Sequence, residues 1–208
     1  VKACKHLIRA YIEMIAQELL RLFFPETQPK TRLVWDADTC QYSVASKGVE
    51  GGQPLSEFSK KDLLKHIQSG AITGLGEIMV MALLTNETDL KLGNLMLDSN
   101  NRIVKIDGDW TFTSLLMKIY PSKGIAAGYD KSGHYEGKRD DRITTEILDH
   151  LPSCAPYWSY NWFTYMEGGV ANAKPQPQVD ALSTNPFFRA EINRALLKIL
   201  LMPDEFIE

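Results

Sequence analysis

The sequence predicts an α+β fold that opens on one helix and a hairpin and then becomes mostly helical. Three observations predict it. An amphipathic run over residues 3–24 comes first. Two β-rich runs, 31–36 and 41–46, follow around a turn. Beyond them the apolar pattern is helical to the C-terminus, apart from a small hairpin at 95–106.

In the first segment Leu7, Ile8, Tyr11, Ile12, Ile15, Leu19, Leu22 and Phe23 recur at three- and four-residue steps, and Pro25 ends the run. A helix of this kind is expected to pack its apolar stripe on the core. The runs TRLVWD and QYSVAS flank Asp36–Ala37–Asp38–Thr39, which is a hairpin signal. Residues 47–54 (KGVEGGQP) carry three glycines and a proline and read as a flexible connector. A short helix is expected at 59–67, with Ser59 as its N-cap. The run 72–84 is apolar nearly all round, the pattern of a buried helix. Strands Leu95–Leu97 and Arg102–Ile106 are joined by the turn Asp98–Ser99–Asn100–Asn101.

Residues 121–143 are rich in Gly, Lys and Asp and read as a surface loop before a short helix at 144–151. The aromatic cluster Tyr157, Trp158, Tyr160, Trp162, Phe163 and Tyr165 reads as core before it reads as a docking patch. Residues 167–184 read as a loop. The last helix starts at Asn185–Pro186 and runs to Met202, with Pro203 as its stop. No internal repeat is present.

Composition bounds the function. A chain of 208 residues has room for one domain, or for two small lobes sharing one core. Hydrophobic residues at 44% and charged residues at 24% exclude disordered, collagen-like and coiled-coil classes. A net charge of -3 argues against a dedicated nucleic-acid binder. No apolar stretch is long enough for a transmembrane segment. Cys4, Cys40 and Cys154 lie far apart without metal-ligand spacing. Reduced thiols in a cytoplasmic compartment are therefore expected, rather than a zinc site or disulfide framework. The chain begins at Val1 without a signal peptide, and a trimmed or partial chain is expected.

The informative segment is NETDLKLGNLMLDSNNRIVKIDGDW, residues 86–110. Asp89, Lys91 and Asn94 form D-L-K-x-x-N, and Asp107 follows after strand, turn and strand. Taken singly, an Asp–x–Lys pair in a turn is a solvated salt bridge and an Asn before a strand is a turn residue. The four fixed letters together arise by chance in on the order of one in a thousand chains of this length. Asn94 offers a neutral oxygen and Asp107 an anionic one, both suited to a hard cation. A hairpin brings its two ends close, so both residues can serve one ion.

On these residues the sequence resembles the catalytic core of the protein kinase superfamily, whose catalytic loop D-L-K-x-x-N is followed by a β-hairpin and D-F-G. The resemblance implies ATP and Mg²⁺ as cofactors. Asp89 would be the catalytic base or substrate orienter, and Lys91 would neutralise charge on the transferred phosphoryl group. Asn94 and Asp107 would hold the metal. Asp109, two residues along an extended chain, could be a further ligand. It also implies a bilobal fold: a reduced small lobe at 1–46, a hinge at 47–54 and a helical large lobe at 55–208. Ser46 and Lys47 would meet the nucleotide at the hinge. The first helix would supply a cleft glutamate. Glu18, in line with Tyr11, Ile15 and Leu22, is expected in that role, while Glu13 faces away from the stripe. Lys2 would be its lysine partner.

Departures from the pattern are specific. The 208 residues contain no G-x-G-x-x-G, since Gly74, Gly76 and Gly108 do not form one, and the first two are read as lying in the buried helix. Glu87–Thr88 replaces the His-Arg before the catalytic aspartate. Gly108 stands in place of the D-F-G phenylalanine, and no A-P-E is recognisable. With D-L-K-L-G-N, K-I-D-G-D-W and a later N-W-F, the chain looks like the remote kinase-like domains of secreted bacterial effectors of the Legionella Dot/Icm type. That group includes phosphoinositide kinases and atypical protein kinases. The resemblance implies a host protein or a phosphoinositide as acceptor, an anionic activator, and the host cytosol as location. Lys131, Lys138, Arg139 and Arg142 form a basic loop that could hold a phosphorylated substrate or headgroup, diluted by Asp140 and Asp141. The alternatives are a catalytically inactive pseudokinase serving as a binding or scaffold module, and an interaction domain without a nucleotide site.

Overall fold

A computed structural model describes residues 2–3, 7–85, 87, 90–108, 111–112, 148–149, 151–152, 181–203 and 205. It is an α+β structure with four helices and two small antiparallel sheets among these residues. The first sheet contains β1 (Lys2–Ala3), β2 (Thr31–Asp36) and β3 (Gln41–Ser46) in the order β1-β3-β2. Its hairpin pairs Thr31 with Ser46 through to Asp36 with Gln41. At the turn, Asp36 Oδ1 accepts the amides of Asp38 at 3.0 Å and Thr39 at 3.3 Å, an Asx-type closure. Lys2 pairs with Val44, which makes β1 the outer neighbour of β3.

Helix α1 (Leu7–Phe23) packs on this sheet with only part of the stripe its periodicity suggests, Ile12 and Phe23 being buried and much of the rest exposed. Leu7, Ile8, Tyr11, Ile15 and Leu22 are exposed, whereas Ala10, Ile12, Glu13, Ala16, Gln17, Leu20 and Phe23 are buried. Two alanines on the inner face let helix and sheet approach closely. The buried amide of Gln17 is satisfied by hydroxyls of the strands. Tyr11 then joins Tyr42 and Trp35 on the outside, with ring centroids 6.2 and 4.8 Å apart.

The second sheet, β4 (Gln53–Pro54), β5 (Leu95–Leu97) and β6 (Ile103–Lys105), has the order β4-β5-β6. Around it lie α2 (Lys60–Gln68), α3 (Leu75–Leu84) and α4 (Pro186–Leu200). Helix α3 is buried over Leu75–Leu83, as its all-round apolar pattern requires. Ser59 occupies the N-cap of α2 but makes no side-chain cap bond. Asn185 caps α4, accepting the amides of Phe187 and Phe188 at 3.1 Å each, with Pro186 at the first turn.

Helices α3 and α4 are locked at one end by a carboxylate. Glu191 accepts the backbone N–H groups of Gly74 and Gly76 at 2.8 Å each, at the positive end of α3. Burial pushes its carboxyl above the ordinary range despite these two bonds. Gly76 is needed for the close approach, since a Cβ there would lie 2.7 Å from Glu191 Cβ. Gly74, expected inside the helix, instead precedes it at φ +95°, and a Cβ would lie 2.9 Å from the Ile103 carbonyl oxygen. Gly74→Ala should therefore cost about 1–3 kcal/mol, read as a lower urea midpoint at unchanged slope.

The expected helix at 144–151 is described only at Leu148, Asp149 and Leu151, where Arg189 donates to the Leu148 carbonyl at 2.7 Å. The loop 121–143, the aromatic cluster and most of the loop at 167–184 lie outside the described residues. No helix among the described residues is long and apolar enough to cross a membrane.

Candidate functional site

Hairpin β5–β6 builds the centre of the site. Its far turn is closed by Asp98 Oδ1, which accepts the amides of Asn100 and Arg102 at 2.8 Å each. Its near end is closed by the Ile106 amide donating to the Asn94 carbonyl at 3.0 Å. Before β5 the chain turns through Leu92–Asn94, with the Asn94 amide bonded to the Lys91 carbonyl at 2.9 Å. These bonds bring Asn94 and Asp107 to the same end of the hairpin. A cleft of about 320 Å³ opens there, lined by Glu13, Val44, Ser46, Gly93, Asn94, Ile106 and Asp107. Asn94 is buried, while Lys91 and Asp107 are half-buried.

The residues picked from sequence divide as follows. Asn94, Asp107 and Ser46 share the cleft. Lys47 is exposed, and its amide is already donated to the Lys30 carbonyl at 2.8 Å. Lys2 is described only in its backbone, opposite Val44 of the cleft-lining strand. Asp89, Asp109, Lys131, Lys138, Arg139 and Arg142 lie outside the described residues.

Glu18 does not line the cleft; Glu13 does. Glu18 accepts from Arg21 Nη2 at 2.6 Å and from the Thr31 amide at 2.7 Å, and pairs with Arg32 at 3.3 Å. Partial burial pushes its carboxyl up. The Arg21 and Thr31 bonds and the two guanidinium charges outweigh that and hold it at about 2. The difference follows from the packing of α1, which sets Glu18 among Arg21, Arg32 and Thr31 and buries Glu13. Alignment with Tyr11 and Ile15 marks the outside of the helix. A lowered carboxyl adds stability that is present above its unfolded value of 4.5 and lost as pH falls through about 2. Wild type should lose this increment between those limits. Glu18→Gln should flatten that part of an acid-unfolding profile.

Three buried polar groups take roles that sequence spacing does not predict. Gln17, fully buried, accepts from Thr31 Oγ1 at 2.8 Å and donates to Glu13 Oε1 at 3.2 Å. Glu87 and Lys105, each 2% exposed in the side chain, form an ion pair at 3.0 Å. Thr111 Oγ1 donates to the same Glu87 oxygen at 2.7 Å. This triad joins the start of the 87–94 loop to the strand that leads into Asp107. Lys105 had one signal, a charge inside the apolar run Ile103–Val104–Lys105–Ile106. Its partner lies 18 residues earlier, beyond any local pattern.

Asp107 and Asn94 are hard oxygen donors, and the pair suits Mg²⁺. Among the described residues no three His, Cys, Asp or Glu side chains gather into a metal site, so the described donors are one carboxylate and one carboxamide, with Glu13 a second carboxylate on the cleft wall. No family model and no curated protein matches this chain.

Proposed function

We propose that the chain is a kinase-like phosphotransferase that moves the γ-phosphoryl group of ATP to a hydroxyl of a protein or a phosphoinositide. The observation that carries this reading is the shared cleft. Asn94 and Asp107, thirteen residues apart, line it together with a glutamate from α1. The strand order β1-β3-β2 beside α1 supports the same reading, since it suits a small lobe at 1–46 that carries Lys2 next to the cleft strand. Residues 47–54 then serve as hinge and 55–208 as large lobe.

In this reading Asp107 and Asn94 would hold Mg²⁺, and the resemblance assigns Asp109 as a further ligand. Bound there, the ion neutralises the nucleotide phosphates. The D-L-K-x-x-N motif assigns the remaining roles. The Asp89 carboxylate takes the proton of the acceptor hydroxyl. The acceptor oxygen forms its bond to phosphorus as the bond to the ADP oxygen breaks. Lys91 offsets charge on the transferred group. The basic loop at 131–142 serves an anionic acceptor or activator. A secreted effector working in a host cytosol fits these requirements.

The test is transfer from γ-labelled ATP to the chain itself, to a general protein acceptor and to phosphoinositide vesicles. The reading expects one acceptor to be labelled, with Asp89→Asn lowering the rate by at least about 100-fold. Tight Mg²⁺-dependent nucleotide binding with no labelled acceptor would favour a pseudokinase module instead.

A further inference from the structure

One well-connected buried polar side chain among the described residues belongs to no element of the transfer chemistry. Gln17 is fully buried on the inner face of α1. Its amide oxygen accepts from Thr31 Oγ1 at 2.8 Å, at the start of β2, and from Ser46 Oγ at 3.4 Å, at the end of β3. Its Nε2 donates to Glu13 Oε1 at 3.2 Å. An NH₂ group facing a carboxylate fixes the orientation of the amide, because the carboxylate can only accept. The aliphatic part of the same side chain meets the turn after Asp107. A Cβ at Gly108 would lie 3.1 Å from Gln17 Cγ and 3.6 Å from Nε2. One buried side chain thus touches both long strands of the first sheet, a carboxylate of the cleft and the backbone that carries Asp107.

We propose that Gln17 is a positioning residue that couples the seating of α1 on the first sheet to the geometry of the cleft. The amide holds the Glu13 carboxylate through Nε2. The methylenes form the seat against which Gly108, and with it Asp107, is set. A Cβ at 108 would press on Gln17 Cγ at 3.1 Å, so that side chain would have to give by a few tenths of an ångström. Any ligand or partner that shifts α1 relative to β2 and β3 therefore moves Glu13 and the Asp107 turn together. Its importance for nucleotide binding rests on the proposed kinase-like function; the coupling itself does not.

Two variants separate the two contacts. Gln17→Ala removes both amide and seat, and Gln17→Met removes the amide but keeps the methylenes. The first readout needs no nucleotide. It is hydrogen exchange of the Thr111 amide, which donates to the Gly108 carbonyl at 3.2 Å, compared with amides of α3 and α4. Gln17→Ala should speed exchange at Thr111 at least tenfold with α3 and α4 unchanged, and Gln17→Met should keep the wild-type rate. On the same proteins, both variants should weaken Mg²⁺-ATP binding tenfold or more. Exchange that is unchanged in Gln17→Ala, or raised equally throughout the chain, would overturn the coupling. If Gln17→Ala does not fold, Gln17→Met decides, and nucleotide affinity equal to wild type would overturn the role of the amide. Local exchange changing as expected in a chain that does not bind nucleotide would reject the kinase-like function and leave the coupling standing.

Discussion

Lys105→Met will destabilise the protein by about 3–5 kcal/mol, the usual cost of breaking a buried ion pair from one side. The Nζ lies 3.0 Å from Glu87 Oε2, and both side chains are almost wholly withdrawn from water. Removing the ammonium takes away a positive charge 3.0 Å from the buried Glu87 carboxylate, while Thr111 still donates to it at 2.7 Å. Denaturant unfolding of Lys105→Met, Glu87→Gln and the double variant reads the effect. The double variant should recover most of the loss, because it removes both charges rather than isolating one. Equal stability of Lys105→Met and wild type would mean that the pair is solvated in solution. The functional cost should outlast the rescue of stability. The triad ties residue 87 to residue 111 and to the strand that ends two residues before Asp107. The double variant lacks the ion pair that ties residue 87 to the strand, although a glutamine oxygen at 87 can still accept from Thr111.

The second large effect is at the cleft. Asp107→Ala should remove the magnesium dependence of ATP affinity, a loss of at least about 10–100-fold in the presence of the ion. The fold should change by no more than about 1 kcal/mol, since Asp107 is half-buried and lies outside the hydrophobic core. That separation distinguishes a ligand from a structural residue. Parallel loss of stability and affinity would place Asp107 in the scaffold instead.

What the sequence makes legible follows the range of the interaction. The hairpin at 31–46, the β5–β6 hairpin, the all-apolar α3 and the Asn185–Pro186 start of α4 are each set by neighbours within about one turn, and each is found where its local pattern puts it. The strands Lys2–Ala3 and Gln53–Pro54 have two residues each, too few to show an alternation; Ala3 falls in the helical run expected at 3–24 and Gln53–Pro54 in the connector expected at 47–54. The face of α1 was misread because periodicity reports an apolar stripe without saying what covers it. Small Ala10 and Ala16 and a satisfied Gln17 suit the inner face beside Ile12, Leu20 and Phe23, while Leu7, Ile8, Tyr11, Ile15 and Leu22 remain outside. The choice between Glu13 and Glu18 turned on that face. At the site, the D-L-K-x-x-N spacing pointed to Asn94 and Asp107, and the hairpin brings both to one cleft. Gln17, Glu87 and Lys105 were beyond reach of spacing arguments. Gln17 meets Glu13 one turn away, but its contact with Thr31 and the Glu87–Lys105 pair span 14 to 18 residues, and only the folded chain brings those together.

One titration tests the nucleotide site most directly. ATP is added to the 208-residue chain in Mg²⁺ and then in EDTA, with heat as the readout. Saturable binding that requires Mg²⁺ is the expected result, and Asp107→Ala should abolish it. A titration that is flat in both conditions, or binding that is the same with and without the ion, would contradict a metal-assisted nucleotide site in this cleft.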